Sequence, residues 1–227
     1  ALTQAGSGTT ILTADNSYAG TTTISAGTLQ VGNGGSVGSL GAGAVVDNSS
    51  WIVKRSDDIT MSNAISGSGT CTQAGTGKVL FANNNAGYTG QTYVDAGILS
   101  FGTPSTSGTA ATQYWSSQFN IAAGAVLDFN SPTGVTLNNR GTTFTGAGTM
   151  TKTGAGGLTW NITDTNFNLL AGSLIDVKEG SMTGSTTYHG KWTNNLSSLN
   201  VASGASFLGA EGDTRVDALT GAGAVSF

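Results

Sequence analysis

The stretches L2-TQAGSGTTILTADNSYAGTTTISAGTLQVG-32 and C71-TQAGTGKVLFANNNAGYTGQTYVDAGILSFG-102 can be laid over one another with one inserted residue. TQAGSG then meets TQAGTG, NSYAG meets NAGYTG, and AGTLQVG meets AGILSFG. A third copy opens as M150-TKTGAGGLTW-160 and is continued, after a divergent stretch, by AGSLIDV at 171–177. Self-similarity of this kind is the mark of a repeat architecture. The finer units recur more often than the copies. One is apolar-small-Gly-small-Gly, in ISGSGTC from Ile65, FTGAGTM from Phe144 and LTGAGAV from Leu219. The other is small-Gly followed by alternating apolar residues, in SAGTLQV (25–31), GAGAVV (41–46), DAGILSF (95–101), AAGAVLDF (122–129), LAGSLIDV (170–177) and ASGASFL (202–208).

Apolar residues at spacing two lie on one face of a strand, and a glycine ahead of each run supplies a turn. Each strand offers only two or three apolar side chains, too few for an isolated hairpin. Burial then comes from a neighbour of the same kind, as in a solenoid. Hairpin signals such as Asn-Gly between strands are few, which argues against a sandwich. The expected fold is all-β: one right-handed parallel β-helix over residues 1–227, with an excursion at about 103–120. The Gly-free segment TAATQYWSSQFN (109–120) is read as a short helix or loop. Coils of about 20 to 25 residues, with strands ~4.8 Å apart, give about ten coils and a rod near 50 Å.

Composition narrows the chemistry. Hydrophobic residues make up 37% and charged residues 9%, against roughly 45–50% and about 25% in ordinary domains. The difference is filled by 36 glycines with Thr, Ser and Asn. Disordered chains of low hydrophobicity carry high net charge and much Pro; here the net charge is −4 and Pro occurs twice. The eight basic residues are scattered apart from Lys54–Arg55, so phosphate neutralisation along a nucleic acid is not expected. No apolar run approaches the ~20 residues that span a bilayer.

No catalytic residue and no cofactor is expected. His189 is the single histidine and Cys71 the single cysteine, which leaves neither a triad base in a nucleophile context nor a zinc ligand set. Cys71 reads as a small buried apolar residue. The acid clusters Asp57–Asp58 and Glu211, Asp213, Asp217 lie beside Lys54–Arg55 and Arg215 respectively, and read as solvated edges rather than a glycosidase pair. Neither matches a calcium loop, so no metal is expected. Trp160 takes a Leu-type repeat position and reads as core. Tyr114, Trp115, Tyr188 and Trp192 lie in divergent segments, and are the candidates for a glycan-facing surface.

The residues L2–V45 (LTQAGSGTTILTADNSYAGTTTISAGTLQVGNGGSVGSLGAGAV), followed by KRSDDITMSNAISGSGTCTQAGTGKVLF (54–81) and MTKTGAGGLTW (150–160), closely resemble the autotransporter-associated β-strand repeat, also called the passenger-associated transport repeat. The resemblance implies an extracellular, β-helical passenger or surface stalk of a bacterium. No series of about ten-residue alternating segments, as in a translocator barrel, is seen. Leu2, Thr3 and Gln4 enter the repeat partway, and Val225, Ser226 and Phe227 leave it at the equivalent place. Open coils without polar caps invite addition of a further coil. The expectation is a structural subunit that self-associates head to tail through these six residues; an adhesin that binds host or matrix glycans is the alternative, and a polysaccharide-cleaving β-helix stands behind both.

Overall fold

The computed structural model describes residues 1–83, 87–102, 117–137, 142–160, 165–183, 191–209 and 214–226. Every strand pairing among them is parallel, and the chain returns to each sheet once per coil. The architecture is a parallel β-solenoid. Two sheets of eight strands run along it, the second beginning two coils after the first, and two of five share the remaining place in the chain's cycle. We call these positions faces I, II and III in the order in which the chain meets them.

Face II begins with Thr9–Leu12 and ends with Asn166–Leu169. Its eight strands, offset by two coils from the eight of face III, place the column at eight to ten coils, close to the ten expected. Coil length varies: Thr9 pairs with Thr28, 19 residues on, whereas Gln91 pairs with Gln118, 27 residues on. That longest coil contains the expected excursion. Its end, Gln118–Ile121, is a strand of face II rather than a helix or loop, because Phe119 and Ile121 alternate inward between Val94 and Phe144 in register. Residues 109–116 lie outside the described residues.

The strand alternation fills a single core. On face II, Leu29, Trp51, Cys71, Thr92, Phe119, Phe144 and Phe167 point inward from successive coils. Aromatic rings touch along the column from Trp51–Phe81, with centroids 5.7 Å apart, through Phe119–Phe144 at 5.3 Å, to Trp192–Phe207 at 5.9 Å. Trp160 is in this core, 1% exposed, with its ring edge-on to Phe129 and Phe144.

The repeat itself is a corner. In the first copy the Gln4 amide folds back and donates to the carbonyls of Gly6 (2.8 Å) and Gly8 (3.1 Å). In the second, Gln73 does the same to Gly75 (3.0 Å) and Gly77 (2.8 Å). One coil later a glycine lies on these same carbonyls. A Cβ at Gly97 would stand 2.5 Å from both the Gly75 and Gly77 oxygens, and the residue has φ +57°, so both space and backbone require glycine there. In the third copy Lys152 replaces Gln, and its ammonium donates to the carbonyls of Thr153 (2.9 Å), Gly154 (2.6 Å) and Glu179 (3.1 Å). The glycine that completes this corner is Gly180, φ +63°, whose absent Cβ faces the Gly156 oxygen. The third copy's partner segment is therefore KEGSMT at 178–183. It is not AGSLIDV at 171–177, whose Gly172 has open space around it.

The copies do not stack on one another. Thr9 is followed in register by Thr28, Ser50 and Thr70, three coils on. Lys78, the repeat equivalent of Thr9, lies in the next strand along the chain, on face III. The Gln4 corner joins face I to II, the Gln73 corner II to III, and the Lys152 corner III to I. Each copy is thus advanced by three coils and one face.

Candidate functional site

Face II presents its outward side chains in two columns. One holds Thr9, Thr28, Ser50, Thr70, Gln91, Gln118, Thr143 and Asn166; the other holds Ile11, Gln30, Ile52, Thr72, Tyr93, Asn120, Thr145 and Asn168. All are half-buried or exposed and none is charged. Some of their hydrogen-bonding capacity is used locally. Asn120 donates to Thr145 at 3.1 Å and Tyr93 to Gln91 at 2.8 Å. The result is a continuous neutral surface of hydroxyls and amides with Tyr93 near its middle.

Face III differs. Its outer column runs Leu80, Ser100, Asp128, Thr151, Asp176, Asn200, Thr220 in register. Asp128 is 5% exposed and accepts hydrogen bonds from Ser100 (2.7 Å), Thr151 (2.7 Å) and Thr153 (2.9 Å). Asn200 donates to Asp176 at 2.7 Å, and Lys178 stands 3.8 Å from the same carboxylate. A carboxylate already holding three hydroxyl donors is built to join coils, and offers little lone-pair capacity to a substrate. The recurring Asp in VLDF and LIDV was the available signal for this ladder.

At the corner Lys54–Asp58, Lys54 and Asp58 are exposed and Asp57 half-buried, near the solvated edge expected, but Arg55 is not. The Arg55 side chain is only 7% exposed and bridges Asp57 at 2.7 Å and Asp15 at 3.5 Å. It also donates to the carbonyls of Gly38 (2.6 Å) and Ser36 (2.5 Å). The guanidinium holds the Asp57 carboxyl below the usual carboxylate range. Arg55 is drawn inside because the 32–44 segment needs these carbonyls tied down, a demand that local sequence does not reveal. Beside this corner lies a cavity of about 500 Å³.

Trp192 is corrected outright. It is 1% exposed, stacked on Phe167 with centroids 4.2 Å apart, and packed against Phe207; the core claims it, and it faces no glycan. Tyr114, Trp115, Tyr188, His189, Glu211, Asp213 and Phe227 lie outside the described residues. Cys71 is buried, and desolvation pushes its thiol pKa up, which fits a small core residue rather than a nucleophile. Among the described residues no group of three His, Cys, Asp or Glu could hold a metal. No helix there is long and apolar enough to cross a membrane.

At the two ends of the column the expected edge residues are placed as follows. Among the described residues Leu2–Gln4 pairs only with Thr22–Ile24, and Ala224–Ser226 only with Ser206–Leu208. Thr3 and Ser226 are exposed, Leu2 and Val225 half-buried, and Gln4 is buried in its corner. Leu219, in register with the fully buried Leu199, is 49% exposed.

No solved structure matches the chain. The adhesin BmaC autotransporter of Brucella suis biovar 1 (strain 1330) is 44% identical over 62 residues, a stretch that is 27% of this chain and 2% of that relative. The chain therefore corresponds to about 2% of the length of the relative it matches. The passenger-associated-transport-repeat model matches residues 2–31 and 72–101, the two segments that build the Gln4 and Gln73 corners. The chain thus carries two passenger-associated-transport-repeat segments, at 2–31 and 72–101, on a parallel β-solenoid, and over 62 residues it is similar to an autotransporter adhesin.

Proposed function

We propose that the chain is a non-enzymatic structural segment of a bacterial passenger displayed at the cell surface or secreted, a stalk whose coils extend by head-to-tail stacking. The uninterrupted in-register ladders carry this reading, because a column of this kind yields length and repeated surface rather than a pocket of convergent chemistry. Leu219, exposed among the described residues, and the end strands, each paired there on one side, would be completed by an adjoining coil, whether of the same polypeptide or of another. Heterologous contacts that do not close give open fibres. Negative-stain imaging over a concentration series is the test. Stacking gives rods in multiples of a unit roughly 40 Å long, taking about eight coils at ~4.8 Å, and Leu219→Lys reduces them to single units. Uniform single rods at every concentration overturn stacking.

A second reading is adhesion through face II, favoured by its neutral, hydroxyl- and amide-rich surface. Such a face suits uncharged polysaccharides, whose hydroxyls match it without counter-charge. Retention on a neutral glycan matrix should fall at least tenfold in the Thr72→Lys, Thr145→Lys double variant and be insensitive to salt in the parent chain. Retention equal in both proteins removes the reading.

A further inference from the structure

Among the described residues the strand Ile59–Met61 is the first of face III, and Lys78–Phe81 is its one strand partner. The preceding coil crosses this position without a strand: residues 32–44 are turns and irregular backbone. A sheet edge is therefore left open part way along the column, where faces I and II already carry two earlier strands each.

The pairing geometry says which groups are open. The Met61 carbonyl accepts from the Ala82 N–H at 3.0 Å. Within a parallel ladder this commits the backbone of Met61, and of Ile59 two residues before it, to Lys78–Phe81. Alternation then turns the N–H and C=O of Thr60 to the other side, and Thr60 is exposed. The cavity of about 500 Å³ lies against this strand, with Ile59, Thr60 and Met61 on its wall and Leu40, Asn63, Asp15, Asp57 and Asp58 around it. Its volume falls within the range of about 300–1,000 Å³ typical of ligand sites.

Arg55 keeps the cleft open and leaves it acidic. Its guanidinium has five N–H donors, and all five are spent: two on Asp57, one on Asp15, and one each on the Gly38 and Ser36 carbonyls. The 36–38 backbone is thereby anchored, and no donor remains for an incoming carboxylate. Three carboxylates line the cleft against that one cation. Asp58 uses one oxygen to accept the Lys78 backbone N–H at 2.9 Å.

We propose that this cleft receives an extended segment of another polypeptide carrying basic side chains, which adds to face III as a strand beside Ile59–Met61. Strand addition of this kind takes affinity from main-chain hydrogen bonds and selectivity from the side-chain surroundings. Here the main-chain pair is supplied by Thr60 and the selectivity by Asp15, Asp57 and Asp58. The occupant is not a second copy of this chain. Its eight cations are Lys54, Arg55, Lys78, Arg140, Lys152, Lys178, Lys191 and Arg215. No two stand two residues apart, as a strand presenting basic side chains on one face requires.

The test uses the full chain and a fluorescein-labelled peptide, acetyl-Thr-Lys-Val-Lys-Thr-amide, read by fluorescence anisotropy at low ionic strength. Saturable binding is expected. It weakens at least tenfold when both peptide lysines become glutamate, and at least tenfold when the central valine is N-methylated. Thr60→Pro should abolish binding with the thermal melt unchanged, because proline is tolerated where the strand N–H faces outward. If that variant does not fold, Asp58→Lys replaces it, with the same loss expected. Equal binding of lysine and glutamate peptides, undiminished binding by the N-methylated peptide or by the deciding variant, or no saturable binding at all, overturns the proposal. Mixed oligomers or self-association in place of peptide binding also overturn it.

Discussion

Truncating Phe144 to alanine is expected to lower the free energy of unfolding by about 3–5 kcal/mol, the range for large aromatic deletions in packed cores. Phe144 is fully buried and its ring meets four others: Phe119 at 5.3 Å, Phe167 at 5.3 Å, Trp160 at 5.1 Å and Phe129 at 6.1 Å. Phe119 and Phe167 sit one coil to either side of it in register on the same face. In a solenoid each coil touches only its neighbours, so stability is close to a sum of coil and interface terms. Removing this ring weakens two interfaces at once, and no distant contact compensates. The effect therefore has a second signature. Urea unfolding of Phe144→Ala should broaden or split into two transitions, with the halves on either side of the Phe144 coil melting separately. Leu219→Ala, on a half-exposed side chain with one stacking neighbour, should cost less than half as much. A loss below about 1 kcal/mol at Phe144, or equal losses at the two sites, would contradict the account of the core as a stack held by neighbouring rings.

The architecture was legible because solenoid burial is local. In AGILSF the inward Leu99 and Phe101 can be picked out by spacing alone, since their partners Val79, Phe81, Leu127 and Phe129 come from copies of the same pattern. The precession of the repeat was not legible. TQAGSG and TQAGTG each describe a corner, and nothing in a corner states which of three faces it joins; that depends on the coil lengths between copies. Thr22–Ile24 and its repeat equivalent within Gln91–Val94 therefore lie on different faces, I and II. The true neighbours of Gln91 are Thr70 and Gln118. Trp192 and Arg55 were misplaced for a related reason. Each lies in a segment with little repeat character, yet is claimed by contacts made coils away in sequence, Trp192 by Phe167 and Arg55 by Asp15. The open edge at Ile59–Met61 was equally hidden, because it is created by the absence of a strand in residues 32–44.

Raising the pH from about 4 to about 6.5 is expected to remove about 3 kcal/mol of stability through Asp47 alone, at ~1.4 kcal/mol per pKa unit. Asp47 ends the strand Val45–Asp47 and points inward, in register with the buried Ile24. It is fully buried, accepts the Ser49 N–H at 3.2 Å, and its Oδ2 has no hydrogen-bond partner among the described residues. Desolvation raises its pKa from 3.8 to about 6, opposed by the Ser49 bond. An acid raised in the folded state is protonated there while the unfolded chain has already ionised. The folded state then holds more protons, and stability falls as pH climbs through this window. Below about pH 4 the contribution is flat, and above about 6.5 the full cost of a buried carboxylate is present. The nearby Cys71 and Tyr88 stay neutral throughout, since burial drives both pKa values upward. Asp57, held low by Arg55, contributes with the opposite sign and only below about pH 4, outside the window. Urea midpoints of the parent chain and Asp47→Asn, measured from pH 4 to 7.5, isolate the effect. The variant should gain on the parent steadily between pH 4 and 6.5 and hold that advantage above it. A difference that does not change with pH would mean that Asp47 ionises in the folded column as freely as in water, and that the interior of face I at this coil is wet.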